Sequence, residues 1–296
     1  MLLRHLQFLT VLARERHFGR AAAALHVTQS TLSAAIRHLE AEIGAPIVER
    51  DRRFRGFTEE GLRLLAFAQA TVAAREALDQ ELAARRTGLA GHLRIGVIPA
   101  ALPPLGRLTG PFVARYPGIQ LTLLSRSSNE IRRALDAFEL DAGITYLDNE
   151  PLPHVRTVPL WTERYLLLTP ADGPFIGRTS VTWAEAATVP LCLLTPDMQN
   201  RRIVDAVFAS VGGAPLPRVE TNAITGLVVH AQTGLLSSIV PQTFLHALGT
   251  PAGTLALPLT DPDRHERVGL AVPEREPAPP AVDALVALAR SLRLEI

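Results

Sequence analysis

Residues 20–44 read RAAAALHVTQSTLSAAIRHLEAEIG. Ala21 to Ala24 form a short helix whose small side chains let a second helix approach closely. Leu32, Ile36, Leu39 and Ile43 recur at spacings of three and four, the mark of one buried face of that second helix. Val27 plugs the turn between them, Gly44 stops the second helix, and Pro46 keeps the chain from resuming it. The first turn of the second helix is crowded with Thr28, Gln29, Ser30, Thr31 and Ser33. One hydroxyl, of Thr28 or Ser30, is expected to cap the helix. A cap explains one of these side chains and leaves the rest. In a helix-turn-helix this is the position from which side chains read base edges in a DNA major groove. Gln pairs with adenine through both ends of its amide, Ser and Thr donate or accept, and the open N–H groups favour phosphate. Arg37, one turn further on, is within reach of a phosphate or a guanine.

On the N-terminal side, Leu2, Leu6, Leu9 and Ala13 define one more helix. On the C-terminal side, residues 46–58 (PIVERDRRFRGFT) alternate loosely around Gly56 and suit a small two-stranded ribbon. A run such as Arg50, Arg52, Arg53 and Arg55 is ordinarily a solvated face. At wing distance from a helix-turn-helix it suits a narrow minor groove or backbone phosphate. Thr58-Glu59-Glu60-Gly61 then opens a long helix to about Arg86, with a hydroxyl cap, early acids and late Arg. Leu65, Ala68, Val72, Leu78 and Leu82 stripe that helix. Nothing else in the first ninety residues is large enough to cover the stripe, so a partner helix from a second copy is expected.

The chain turns at Thr87-Gly88-Leu89-Ala90-Gly91, and short β-rich runs then alternate with helical ones. HLRIGVI (92–98), IQLTLL (119–124) and DAGITY (141–146), separated by helices near 103–115 and 128–139, make a βαβαβ unit with a parallel sheet. A second set includes YLLLT (165–169), LCLL (191–194) and SSIV (237–240), and VGLAV (268–272) with a last helix closes the chain. Two small α/β lobes fit this length. Ligands of open α/β sheets bind at the carboxyl ends of strands, beside helix N-termini. Here those places are Pro99 and Ala100, then Arg126, Ser127 and Ser128, then Thr145, Thr195 and Asn222. Ser128 is read as both a helix cap and a ligand contact, and Arg126 as a solvated charge and the nearest cation to an anion.

The 296 residues are 47% hydrophobic and 20% charged, a globular composition. No apolar run approaches the roughly 20 residues a membrane span needs. The N-terminal stretch is interrupted by charges and reads as no export signal. The single cysteine, Cys192, lies in an apolar strand and is expected to be a buried, inert thiol. Residues 1–90 hold thirteen Arg against ten Asp and Glu, a net +3; residues 91–296 hold seventeen against nineteen, a net −2. Basic excess on the first third permits nucleic acid there. No HExxH, GxSxG, Walker-type or GxGxxG stretch occurs, and the nine His stand singly, so neither a metal, a cofactor nor an enzyme is expected.

The N-terminal region resembles the winged helix-turn-helix of LysR-type transcriptional regulators. The resemblance is carried by Leu6 to Phe8, Phe18 with Ala21 and Ala22, Val27 to Gln29, Leu32 and Ser33, Leu39 and Glu40, Gly44, Glu49 and Arg50, and Thr58 with Gly61. It implies an α/β protein with an all-α winged helix-turn-helix N-terminal domain (1–58), a long dimerising linker helix (59–87), and a two-lobed, periplasmic-binding-protein-like α/β effector domain (88–296). Lobe I would cover about 91–161 and 267–296, and lobe II about 162–266. Promoter DNA, a second copy of the chain in a dimer and then a tetramer, and RNA polymerase are the implied partners, in a cytoplasmic protein with no membrane. DNA contacts carried over fall on Gln29, Ser30, Ser33, Arg37 and Arg53. The family often has Pro where this chain has Ser30, and a hydroxyl where it has Ala100. The stretch LDAFELDAGITYLDNEPL (135–152) is similar to regulators encoded beside molybdenum-dependent formate dehydrogenases, which implies formate or a related small anion as effector. A two-lobed solute-binding protein is the competing reading; it would need no helix-turn-helix and would carry an export signal.

Overall fold

The computed structural model describes residues 1–50, 54–150 and 152–292. The chain forms two compact units, one built on Met1–Gly88 and one built on Leu89–Glu274 and the C-terminal helix. The first unit holds α1 (Leu3–Glu15), α2 (Phe18–Ala24), α3 (Gln29–Ile43), the antiparallel strands β1 (Val48–Arg50) and β2 (Phe54–Phe57), and α4 (Glu59–Thr87). Three of the four helix starts, those of α2, α3 and α4, have a side-chain cap. The His17 ring accepts from Gly19 N at 3.0 Å and Arg20 N at 3.3 Å, Thr28 Oγ1 accepts from Thr31 N at 3.2 Å, and Thr58 Oγ1 accepts from Gly61 N at 3.0 Å. Each such cap is worth about 1 kcal/mol. Gly44 ends α3 in the left-handed conformation (φ 74°).

Leu6, Leu9, Leu12, Ala21, Leu32, Ile36, Leu39 and Ile47 form the core of this unit, and Leu64 and Ala68 of α4 belong to it. The expected stripe on α4 is therefore divided. Leu65, Ala68 and Val72 pack within their own unit, because α1 lies against the first half of α4 and covers them. Leu78 and Leu82, beyond the reach of α1, stay exposed at 43% and 48%. Gly61 is where α4 meets the residue before β1: a Cβ there would lie 1.9 Å from the carbonyl oxygen of Ile47.

The second unit runs β3 (Gly91–Val97), a 3-10 turn (Pro99–Ala101), α5 (Gly106–Arg115), β4 (Ile119–Ser125), α6 (Ser128–Asp136) and β5 (Ala142–Tyr146). Then come β6 (Val155–Pro170), β7 (Val181–Thr182), α7 (Trp183–Ala186), β8 (Leu191–Leu194), α8 (Gln199–Ser210), β9 (Val219–Thr221), α9 (Ile224–Ala231), β10 (Ser237–Pro241), α10 (Gln242–Leu248), β11 (Thr254–Thr260), β12 (His265–Pro273) and α11 (Pro280–Ser291). The first lobe is the expected parallel βαβαβ set in the order β4-β3-β5, completed by β12 antiparallel to β5. In the second lobe β8 lies parallel to β10 and to β9, and β11 pairs antiparallel with β6.

The strand expected at 165–169 is the second half of a 16-residue strand. From Val155 to Arg164, β6 pairs with β12 in the first lobe; from Tyr165 on, it pairs with β10 in the second. The chain returns from β11 through residues 261–264 into β12, so two crossings join the lobes. Their sheets share the length of β6, and the strand ends of both lobes meet along one cleft. No helix among the described residues is long and apolar enough to cross a membrane.

Candidate nucleic-acid interface and ligand cleft

At the start of α3 the capping residue is Thr28. Its Oγ1 also lies 2.8 Å from the hydroxyls of both Ser30 and Thr31. Thr28, Gln29, Ser30 and Thr31 are all exposed, Ser33 is half-buried, and Arg37 is exposed. The structure thus collects an amide, four hydroxyls and a guanidinium on the outer edge of α3, whose inner edge is Leu32, Ala35, Ile36 and Leu39. Arg50 ends β1; Arg52 and Arg53 lie outside the described residues.

The cleft of the second unit is closed. Ile98, Pro99, Ala100, Ser127, Ser128 and Tyr146 from the first lobe face Leu194, Met198, Gln199 and Asn200 from the second across a cavity of about 10 Å³. That is room for about one water molecule. Two hydrogen bonds cross it: Thr145 Oγ1 donates to Gln199 Oε1 at 3.2 Å, and Asn200 Nδ2 donates to the Tyr146 hydroxyl at 3.0 Å. Gln199 is 3% exposed, and the other end of its amide has no partner among the described residues. Burial pushes the Tyr146 phenol up, so it stays protonated at physiological pH.

Outside this cavity lies a wider chamber of about 240 Å³, walled by Ser128, Asn129, Arg132, Thr145, Glu150, Leu152 and Gln199. At its edge the lobes are joined by an ion pair. Arg202, on the first turn of α8, donates from Nε and Nη2 to the two oxygens of Glu150, at 2.7 and 2.8 Å. Its Nη2 also donates to Ser128 Oγ at 3.1 Å, while Nη1 is held by the Pro196 and Asp197 carbonyls. The guanidinium beside Glu150 holds that carboxyl below the usual range against the opposing effect of burial. The neighbouring Arg201 points the other way, into the second lobe, donating to Leu194 O, Asp205 and Glu220.

Of the expected ligand contacts, Pro99, Ala100, Ser127 and Ser128 line the inner cavity and Thr145 lines the chamber. The cap of α6 is Ser127, which forms a capping box with Glu130; Ser128 is one residue further along, and its hydroxyl faces Arg202. Arg126 is corrected to the outer face of α6, paired with Glu130 at 3.7 Å, because β4 ends with its side chain turned away from the cleft. Asn222 is exposed and lines none of these cavities, and neither does Thr195: its N–H bonds Thr221 O, and its buried hydroxyl has no partner among the described residues. Sequence reasoning missed Tyr146, Glu150, Gln199, Asn200 and Arg202. The signal for the last three was available: QNRR opens a helix directly after a strand, the same setting that singled out Ser127 and Ser128.

A buried carboxylate sits where β6 passes between the lobes. Glu163, 1% exposed, accepts from Thr243 N at 3.1 Å, from Thr243 Oγ1, and from Trp161 Nε1 at 3.3 Å. Burial pushes its pKa up to about 7. Cys192 is fully buried on β8, and burial raises its thiol.

Two family models match the chain. The bacterial regulatory helix-turn-helix protein of the lysR family matches residues 3–62, and the LysR substrate binding domain matches residues 86–293. The DNA-binding transcriptional dual regulator OxyR of Escherichia coli K12 is 30% identical over 278 residues, 91% of this chain and 88% of that protein. A probable hydrogen peroxide-inducible genes activator of Mycobacterium avium is 30% identical over 240 residues, 80% and 77% of the two chains. Among solved structures, a full-length cysteine-to-aspartate variant of OxyR from Pseudomonas aeruginosa superposes with a TM-score of 0.80 at 28% identity, covering 99% of this chain and 96% of that one.

Proposed function

The chain belongs to the LysR family of DNA-binding transcription regulators, and from that premise we propose that it holds its promoter through the outer edge of α3 and the ribbon arginines and responds to a small oxyanion in the cleft between its α/β lobes. Its relatives are regulators, not enzymes. The observation that carries the DNA half is the exposed cluster of Gln29, Ser30 and Thr31 around the Thr28 cap, with Ser33 and Arg37 on the same helix. Arg50, Arg52 and Arg53 complete the contact from the wing. Gln29→Ala and Arg53→Ala should each weaken promoter binding in a mobility-shift assay, and unchanged affinity for both would sink the assignment.

The effector half rests on Gln199, a buried amide with one end unpartnered beside two serine hydroxyls. Buried polar groups are almost always satisfied, by protein, water or ligand, so this amide offers a hydrogen-bond donor to an oxygen atom in the cleft. Formate is the smallest carboxylate that fits this description. The relatives named for hydrogen peroxide raise a second reading, thiol-based peroxide sensing. With one cysteine in the chain, and that one fully buried, no intrachain disulfide can form. Thermal-shift screening of the full chain against small carboxylates and oxyanions tests the effector class; silence across that panel removes it.

Self-association is assigned to the second half of α4, where Leu78 and Leu82 are exposed, with a dimer there and a tetramer built from it. RNA polymerase is the further partner, and the cytoplasm, where promoter DNA lies, is the place of action.

A further inference from the structure

Arg202 reaches across the cleft edge from the second lobe as a cation, and what it grips is a carboxylate of the chain itself. Its two contacts to Glu150 have the paired, parallel geometry with which a guanidinium takes a free carboxylate. The same carboxylate accepts from Ser128 Oγ at 3.4 Å, and that hydroxyl also accepts from Arg202. We propose that Glu150 is a built-in stand-in for the ligand: it occupies an oxyanion position formed by Arg202 and Ser128, and a small carboxylate enters by displacing it.

Three further observations support the exchange. The inner cavity, at about 10 Å³, admits nothing larger than a water molecule while the bridge is closed, so a carboxylate must enter from the 240 Å³ chamber that Glu150 walls. Gln199 lines both spaces, and its unpartnered amide end gives an entering oxygen a partner that the Glu150 carboxylate does not take up. The charge also favours one more anion. Arg132 and Arg202 both act on Glu150, and Arg132 has no carboxylate within ion-pair distance among the described residues, so two cations face one anion. With Glu150 swung away and a monoanion on Arg202, each guanidinium has a carboxylate. The lobes remain bridged, now through the ligand.

This rests on the effector reading above, and the following test separates the two. Formate and acetate are titrated calorimetrically into the full-length protein at constant ionic strength, with formamide and acetamide as neutral controls, for wild type, Glu150→Ala, Glu150→Asp and Arg202→Ala. An internal competitor at high effective concentration weakens external binding, so Glu150→Ala should bind both anions at least about ten-fold more tightly than wild type. Glu150→Asp keeps the charge but draws it back by one methylene, and should gain by a smaller factor; it carries the test if the alanine variant does not fold. Arg202→Ala should lose anion binding, and the amides should bind none of the four. If wild type binds formate or acetate and neither Glu150 variant gains, the stand-in is overturned while the effector class stands. A gain shared by the amides, or kept without Arg202, also overturns it. If no form binds either anion, the stand-in and the oxyanion reading fall together.

Discussion

Replacing Glu163 by Gln should change the pH dependence of stability in a direction fixed by its burial. Its folded pKa of about 7 lies well above the ordinary 4.5. At 1.36 kcal/mol per unit, ionising it in the folded chain costs about 3 kcal/mol more than in the unfolded chain. The folded state therefore holds this proton more tightly. The stability it contributes is fully present below pH 4.5 and is lost as pH rises through 7. Gln keeps an acceptor for Thr243 N but meets Trp161 Nε1 with an NH₂ group, a mismatch worth about 1 kcal/mol. At pH 8 the variant should be the more stable by about 2 kcal/mol, a rise of roughly 4–8 °C in the melting of a domain of about 200 residues. At pH 5 the advantage should vanish or reverse. Calorimetric melts of both full-length proteins from pH 5 to 8.5 give the difference directly, and groups common to both cancel. A difference that stays flat across this range would falsify the assignment of a near-neutral pKa to Glu163.

Three other outcomes follow from the geometry. Gly61→Ala would set a Cβ 1.9 Å from the Ile47 carbonyl oxygen; the first unit should lose about 1–3 kcal/mol in urea unfolding, and wild-type stability would contradict the close approach. Thr28→Val removes the acceptor for Thr31 N and the partner of two hydroxyls; it should cost about 1 kcal/mol and weaken promoter binding, and an unchanged melt would show that the cap contributes nothing. Cys192 should take no iodoacetamide in the native protein and react fully in urea, by intact mass, and promoter binding should not respond to peroxide; rapid native labelling would reopen thiol sensing.

The helix-turn-helix was legible because its signals are local. Apolar spacing set the inner edge of α3, Gly44 and Pro46 set its end, and a surplus of hydroxyls over what one cap needs set its outer edge. The choice between Thr28 and Ser30 as cap depended on backbone geometry, which put Thr28 outside the helix and Ser30 on its first turn. Likewise Ser127 and Ser128 could be placed at a helix start, but one position separates a capping box from a side chain that meets Arg202. Nothing in QNRR distinguishes Arg201 from Arg202. On a helix successive residues point about 100° apart, and only the packing of α8 decides which guanidinium turns inward and which crosses the cleft. The first half of the stripe on α4 misled for a related reason: period shows that a face is apolar, not which neighbour covers it.

Sequence by itself determined the order of elements as far as β5, the two α/β lobes, the polar edge of α3 and the family, since each is written in short-range periodicity, turn residues and motif spacing. Tertiary structure decided the rest. A single strand, β6, carries both lobes and buries Glu163 as it passes between them. Glu150, Ser128 and Arg202 come together from positions 22 and 52 residues away from Glu150 along the chain. Contacts of that separation arise from how sheets stack and where their strands end, and no local pattern records them.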